Sequence, residues 1–77
     1  MDLDDTRAKW VQVADLLRAR IAAGTYPVGG RVPSVLQLTE EFGIAVATAQ
    51  KALRALRDEN LTRTERGLGS YVVRRPK

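Results

Sequence analysis

Apolar residues recur with a helical period in the first third of the chain. Between about Arg7 and Ala23 they follow the i, i+3, i+4, i+7 spacing that places side chains on one face of a helix. The residues on this face are Trp10, Val13, Ala14, Leu17 and Ile21. The pattern predicts a first helix, capped at its start by an acid or hydroxyl at positions 4–6 and closed at its end by Gly24 in a left-handed conformation.

Two shorter amphipathic segments follow, joined by a turn at residues 43–45. Ser34 and Gln37 have the spacing of a capping box, so a second helix is predicted to begin at Ser34 and to stop at Gly43. A third helix is predicted from about Val46 to Glu59, with Asn60 closing it. The apolar faces are Val35, Leu38 and Phe42 in the second helix, and Ala49, Ala52, Leu53 and Leu56 in the third. Two short helices joined by a tight glycine-containing turn are typical of a helix-turn-helix.

The rest of the chain is predicted to be extended. Residues 61–64 and 70–73 are rich in β-branched and aromatic side chains and flank a glycine-containing loop, which predicts a hairpin. Because Pro33 disfavours helical angles at the residue before it, Arg31 and Val32 should be extended and able to pair as a short strand. The fold class is therefore α+β, a winged helix-turn-helix with three helices followed by a two-stranded β-hairpin wing. We expect one domain over residues 1–77, ordered over about 7–73, with a basic tail at 74–77.

The composition argues against catalysis. The chain of 77 residues has no cysteine and no histidine, which removes disulfides, thiolate metal sites and the commonest general base. We therefore expect no enzyme activity, no catalytic residues, no metal and no cofactor. No apolar run approaches the ~18 residues that span a membrane, and the acidic N-terminus is unlike a secretory signal. These features predict a cytoplasmic protein that does not bind membranes.

Positive charge is concentrated in the last quarter of the chain. The formal net charge is +4, and residues 60–77 contain five bases against one acid, whereas residues 1–59 contain eight of each. A basic hairpin and tail predict a polyanionic partner. The basic residues of the tail could instead serve only solubility, and both interpretations stay open for Arg74, Arg75 and Lys77.

Several strings of the sequence together carry a family resemblance. They are Gly29-Gly30-Arg31-Val32-Pro33-Ser34, Glu41-Phe42-Gly43-Ile44 and Arg66-Gly67-Leu68-Gly69-Ser70-Tyr71-Val72, with Leu38, Thr48, Ala52-Leu53, Leu56 and Leu61 between them. Over about residues 10–73 the chain resembles the winged-helix DNA-binding domain of GntR-type bacterial transcription regulators. The resemblance implies sequence-specific binding of double-stranded DNA by a transcription regulator, and a repressor in particular. The family usually carries a second, C-terminal domain that binds an effector and supports dimerisation, and we expect no small-molecule effector domain in this chain. Because one small domain offers a limited interface, we expect a homodimer on a repeated or palindromic site.

The resemblance also implies which residues contact DNA. In the family the third helix lies in the major groove and the wing enters the minor groove. The hydroxyl at the start of the second helix would contact a phosphate, the polar side chains of the third helix would contact phosphates and base edges, and the wing would approach the sugar-phosphate backbone. The implied DNA-binding residues are Ser34, Thr48, Gln50, Lys51, Arg54, Arg66, Gly67 and Gly69. Arg57, near the end of the third helix, is expected to be structural or simply exposed to solvent.

Three positions depart from the family pattern. Leu36, Val46 and Gln50 stand where the family commonly has arginine, so three cationic contacts are missing. Leu36, Val46 and Ala47 are apolar and would face the groove or solvent, where they could contact a thymine methyl group. They could instead form a protein-binding patch. The alternative interpretation is therefore a winged-helix protein–protein interaction module that binds DNA weakly or not at all.

Overall fold

A computed structural model describes residues 3, 6–65 and 69–76 of the chain. Its elements are α1 (Lys9–Ala22), α2 (Val35–Phe42), α3 (Val46–Asp58), β1 (Thr62–Glu65) and β2 (Gly69–Val72). β1 and β2 pair as an antiparallel hairpin. The predicted winged helix-turn-helix of class α+β is confirmed, with both strands displaced by one residue from the predicted bounds. No helix in these ranges is long and apolar enough to cross a membrane.

The core is built where α1 crosses α3. Leu17 and Ile21 of α1 are completely buried, as are Ala52 and Leu56 of α3. The alanines on the inner face of α3 let the two helix backbones approach closely, while the larger residues of α1 fill the space between them. Burying each leucine or isoleucine side chain contributes about 1.5–3 kcal/mol to the free energy of unfolding. This contact fixes the direction in which the opposite face of α3 points.

The helix ends follow the predicted cap chemistry with one exception. α1 begins at Lys9 with Ala8 as its N-cap and has no side-chain cap, so the prediction that Thr6 caps it is wrong. Asp4 and Asp5, the other predicted caps, lie outside the described residues. Instead, the buried Gln12 side-chain amide donates a hydrogen bond to the carbonyl of Arg7 (3.0 Å). Left-handed φ angles are confirmed at the predicted helix ends, Gly24, Gly43 and Asn60.

The segment before α2 joins the wing. Arg31 forms a β-bridge with Tyr71 of β2. The N–H of Val32 donates to the carbonyl of Ser70 (3.0 Å), and the N–H of Val72 donates to the carbonyl of Gly30 (2.9 Å). The predicted extended pairing at Arg31 and Val32 is therefore confirmed. Because these bonds lie immediately before α2, they hold the base of the wing beside the start of that helix.

Two bidentate ion pairs tie α1 to the other helices. The guanidinium of Arg18 donates to the carboxylate of Glu59 at the end of α3 (Nε to Oε1, 2.7 Å). The guanidinium of Arg20 donates to the carboxylate of Glu41 in α2 (Nη2 to Oε2, 2.7 Å). These hydrogen bonds lower the pKa of both carboxyl groups below their ordinary value of 4.5. The two pairs therefore stabilise the arrangement of the three helices in the ionised state.

Acid is expected to weaken the fold through these pairs. The pKa of Glu59 is lower in the folded chain than in the unfolded chain, so its stabilising effect is complete above pH 4.5 and disappears as the pH falls through the folded value. The Glu59→Gln variant should therefore lose less stability on acidification than the parent. The difference should be under about 1 kcal/mol, because the Glu59 side chain is 42% exposed. Urea unfolding at pH 6 and pH 3 measures this difference. Arg18→Met removes the same pair and should give a similar reduction, whereas the parental pH dependence in both variants would contradict the assignment.

Candidate nucleic-acid interface

A groove opens between the start of α2, one face of α3 and the hairpin. From α3 it is lined by positions 50, 53, 54 and 57, which lie on one side of a helix. Among the described residues, the lining is Pro33, Ser34, Val35, Gln50, Leu53, Arg54, Arg57, Thr64, Glu65, Gly69 and Ser70. We call this the α2–α3–wing groove. It is the place where side chains from three separate elements converge.

Four of the residues implied by the resemblance lie in this groove. Ser34 stands at its edge on α2, Gln50 and Arg54 project from α3 and are exposed, and Gly69 begins β2 on the opposite wall. Gly69 has a φ of +109°, which favours glycine, and a Cβ atom there would come within 2.8 Å of the Nε of Arg31. Arg66 and Gly67 lie outside the described residues.

The other two implied residues lie elsewhere on α3. The ammonium of Lys51 lies 4.8 Å from the centre of the Trp10 ring on α1, which is cation–π distance. Thr48 is half-buried and does not line the groove. Trp10 itself is half-buried and packs against the edge of the core. Lys51 therefore belongs to the side of α3 that meets α1, whereas residues 50 and 54 belong to the groove.

Sequence reasoning missed two cations of this region. Arg57 lines the groove, one turn beyond Arg54, and its spacing from Gln50 (i, i+7) was a signal that could have found it. The Arg31 side chain lies beside Gly69, the first residue of β2, at the loop end of the hairpin. No sequence spacing indicates this second contact, because it depends on the pairing of residues far apart in the chain.

The described lining of the groove contains two cations, Arg54 and Arg57, and one acid, Glu65. The guanidinium of Arg54 has no hydrogen bond or ion pair within residues 6–65 and 69–76. Arg57 lies 3.6 Å from the carboxylate of its neighbour Asp58, and both side chains are more than half exposed. Glu65 is the acid in the lining, and its carboxylate is 2.8 Å from the Nε of Arg63, which offsets its charge. The groove can therefore attract an anion.

The start of α2 is closed by a capping box. The hydroxyl oxygen of Ser34 accepts a hydrogen bond from the N–H of Gln37 (3.1 Å), and the side-chain oxygen of Gln37 accepts one from the N–H of Ser34 (2.8 Å). The predicted cap is confirmed. Because the Ser34 oxygen acts here as an acceptor, its O–H hydrogen is still available to donate to a ligand.

Ser34→Ala is expected to lower the free energy of unfolding by about 1 kcal/mol, because it removes the cap of α2. Urea denaturation followed by circular dichroism measures this loss. Ser34→Asp keeps an acceptor at the same N-cap and should retain most of the stability. Equal losses in the two variants would contradict the capping role.

Comparison with known families identifies the fold. The sequence profile described as "Bacterial regulatory proteins, gntR family" matches residues 9–72, from α1 to the end of β2. The chain belongs to this GntR family. Among curated relatives, it is 40% identical over 68 residues to an uncharacterized HTH-type transcriptional regulator of Rhizobium meliloti, covering 88% of this chain and 28% of the relative. It is 36% identical over 61 residues to the mannosyl-D-glycerate transport/metabolism system repressor MngR of Escherichia coli. This match covers 79% of this chain and 25% of MngR.

The chain thus spans about a quarter of the length of these relatives. Among solved structures, a GntR family transcriptional regulator from Listeria monocytogenes is 28% identical and superimposes with a TM-score of 0.88, covering 92% of this chain and 62% of that one. The AraR DNA-binding domain in complex with operator ORR3 shares the fold at 23% identity, with a TM-score of 0.85, covering 95% and 88%. The described helices and hairpin are therefore the winged helix-turn-helix of the GntR family.

Proposed function

We propose that this chain binds double-stranded DNA sequence-specifically as a GntR-family transcription regulator. The observation that carries the proposal is the α2–α3–wing groove, in which Ser34 and Gln50 converge with Arg54, an arginine that no described acid neutralises. An α-helix with its side chains is about 10–12 Å wide, which matches the roughly 12 Å width of the major groove of B-DNA. In this proposal α3 enters the major groove and the wing lies against the minor groove.

Each residue of the groove has a chemical role in this complex. The hydroxyl of Ser34 and the first N–H groups of α2 donate to a phosphate, which the positive end of the helix dipole also favours. Gln50 contacts base edges, and Arg54 contacts a phosphate or a base. At Gly69 the backbone can approach the sugar-phosphate chain. Thr48, Lys51, Arg66 and Gly67 join the proposed interface on the strength of the family resemblance.

The proposed regulatory mechanism is repression by occupancy. Bound protein would block access of polymerase to the promoter, so binding rather than catalysis would be the activity of this chain. Two features of relatives support the proposal: MngR is named a repressor, and the AraR domain with the same fold was solved with an operator. Because one small domain offers a limited interface, we propose that two copies bind a palindromic or repeated site.

Selection of random DNA duplexes by the purified chain at moderate salt tests the proposal. We expect a motif with two-fold symmetry to be enriched, and the logarithm of the binding constant to fall with the logarithm of salt concentration by about 0.9 per neutralised phosphate. Salt-sensitive retention without an enriched motif would contradict sequence specificity. Absence of retention at every salt concentration would contradict DNA binding altogether and favour the protein–protein interaction alternative.

A further inference from the structure

One side of the first two turns of α3 exposes a surface without a charged group. Val46 is 48% exposed at the start of the helix, and Ala47 and Gln50 are exposed beside it. Thr48 is half-buried and Ala49 is completely buried, so neither adds to this surface. On the side of α3 away from Lys51, which is also exposed, the surface thus consists of two apolar side chains and one carboxamide. We call Val46, Ala47 and Gln50 the α3 corner.

Of the two nearest cations of α3, Lys51 is directed away from this corner, whereas Arg54 lines the groove together with Gln50. The ammonium of Lys51 lies over the Trp10 ring on the α1 side of the helix. Arg54 lies one turn beyond Gln50, in the groove that the hairpin also lines. A long cationic side chain is therefore missing from the part of α3 that Val46, Ala47 and Gln50 form.

The chemistry of the α3 corner favours one kind of base pair. Arginine and lysine recognise guanine through its O6 and N7 acceptors, whereas glutamine makes two hydrogen bonds with N6 and N7 of adenine. Apolar side chains pack against the C5 methyl group of thymine. Val46 and Gln50 are four residues apart, so their side chains are neighbours on the helix surface and can reach adjacent bases.

We propose that the α3 corner makes this chain select A·T base pairs at the positions that α3 reads. Gln50 accepts a hydrogen bond from the N6 amino group of adenine and donates one to its N7, and Val46 and Ala47 pack against the methyl group of thymine. The inference rests on the proposed DNA-binding function and specifies the class of DNA site. It follows from the exposure of the corner together with the engagement of Lys51 by Trp10.

A change of one side chain tests this assignment. Random duplexes are selected separately with the parent, with Gln50→Arg and with Ala19→Arg, which adds the same charge at an exposed position of α1. We expect A·T at one position of the parental motif to become G·C with Gln50→Arg, with a change in preference of about 5- to 150-fold. Ala19→Arg should keep the parental preference. Circular dichroism establishes that both variants fold.

Base analogues test the individual atoms in the selected duplex. Replacing the proposed adenine by 7-deazaadenine removes N7, and it should weaken binding of the parent but not of Gln50→Ala. Replacing the neighbouring thymine by uracil removes one methyl group and should weaken binding of the parent about fourfold, with a smaller loss in Val46→Ala.

The outcomes separate this inference from the proposed function. If the parental motif has G·C at the position that Gln50→Arg alters, or if both analogue duplexes bind like the unmodified one, the A·T assignment is overturned while sequence-specific binding stands. If no variant enriches any motif, DNA recognition itself is overturned and the A·T assignment falls with it.

Discussion

Leu56→Ala is expected to lower the free energy of unfolding by about 2–5 kcal/mol. Leu56 is completely buried where α3 packs against α1, so its truncation leaves a cavity that the surrounding helices fill only in part. A domain of this size has a total stability near the lower end of the usual 5–15 kcal/mol, so a large fraction of the variant should be unfolded. Urea denaturation followed by circular dichroism and by the fluorescence of Trp10, the single tryptophan, measures the loss.

Leu36→Ala is the matched control for this experiment. The side chain of Leu36 is 68% exposed on α2, so the same truncation should change the free energy of unfolding by no more than about 0.5 kcal/mol. Similar losses in Leu36→Ala and Leu56→Ala would contradict the assignment of the α1–α3 contact as the core.

The double variant Arg54→Ala/Arg57→Ala is expected to bind a selected duplex at least a hundredfold more weakly than the parent. Each arginine that bonds to a phosphate contributes about 1.5–3 kcal/mol, and both line the α2–α3–wing groove. The negative slope of log K against log salt should also become shallower, by about 0.9 for each lost phosphate contact. Fluorescence anisotropy with a labelled duplex between 50 and 300 mM salt measures both quantities.

Arg7→Ala is the control for charge alone. The Arg7 side chain is 54% exposed, close to the 52% of Arg57, and its guanidinium pairs with Asp15 of α1. We expect this variant to keep nearly the parental affinity and salt slope. Arg7→Ala is compared with Arg54→Ala and Arg57→Ala, each of which also removes one positive charge. An equal loss of affinity in all three single variants would indicate that net charge and not the groove determines binding.

Local chemistry explains why much of the fold was predictable from the sequence. The capping box at Ser34 and the left-handed Gly43 define both ends of α2 within eight or so residues of chain, so no distant contact is needed to locate it. The N-cap of α1 was predicted within residues 4–6, whereas the structure has Ala8 at this position without a side-chain cap. There the Gln12 side chain bonds back to the Arg7 carbonyl, an interaction that capping rules do not anticipate.

The candidate site was only partly predictable for a related reason. Helical spacing places Gln50 and Arg54 on one face of α3, and the structure brings that face to Ser34 and Gly69. The spacing does not reveal that Lys51 meets an aromatic ring of another helix. Contacts between distant segments decide which exposed cations remain available to a ligand, and the sequence pattern of one helix does not contain them.

Amide chemical shifts in an NMR titration with a selected duplex test the central claim most directly, because they identify the residues that meet DNA. The account predicts that the largest changes occur at Ser34, Gln50, Arg54 and Gly69, the residues from three elements that line the groove. The amides of Asp15 and Arg18 on α1, and of Glu59 which Arg18 binds, should change little. The largest changes at these α1 and Glu59 amides, with an unaltered α2–α3–wing groove, would contradict the account.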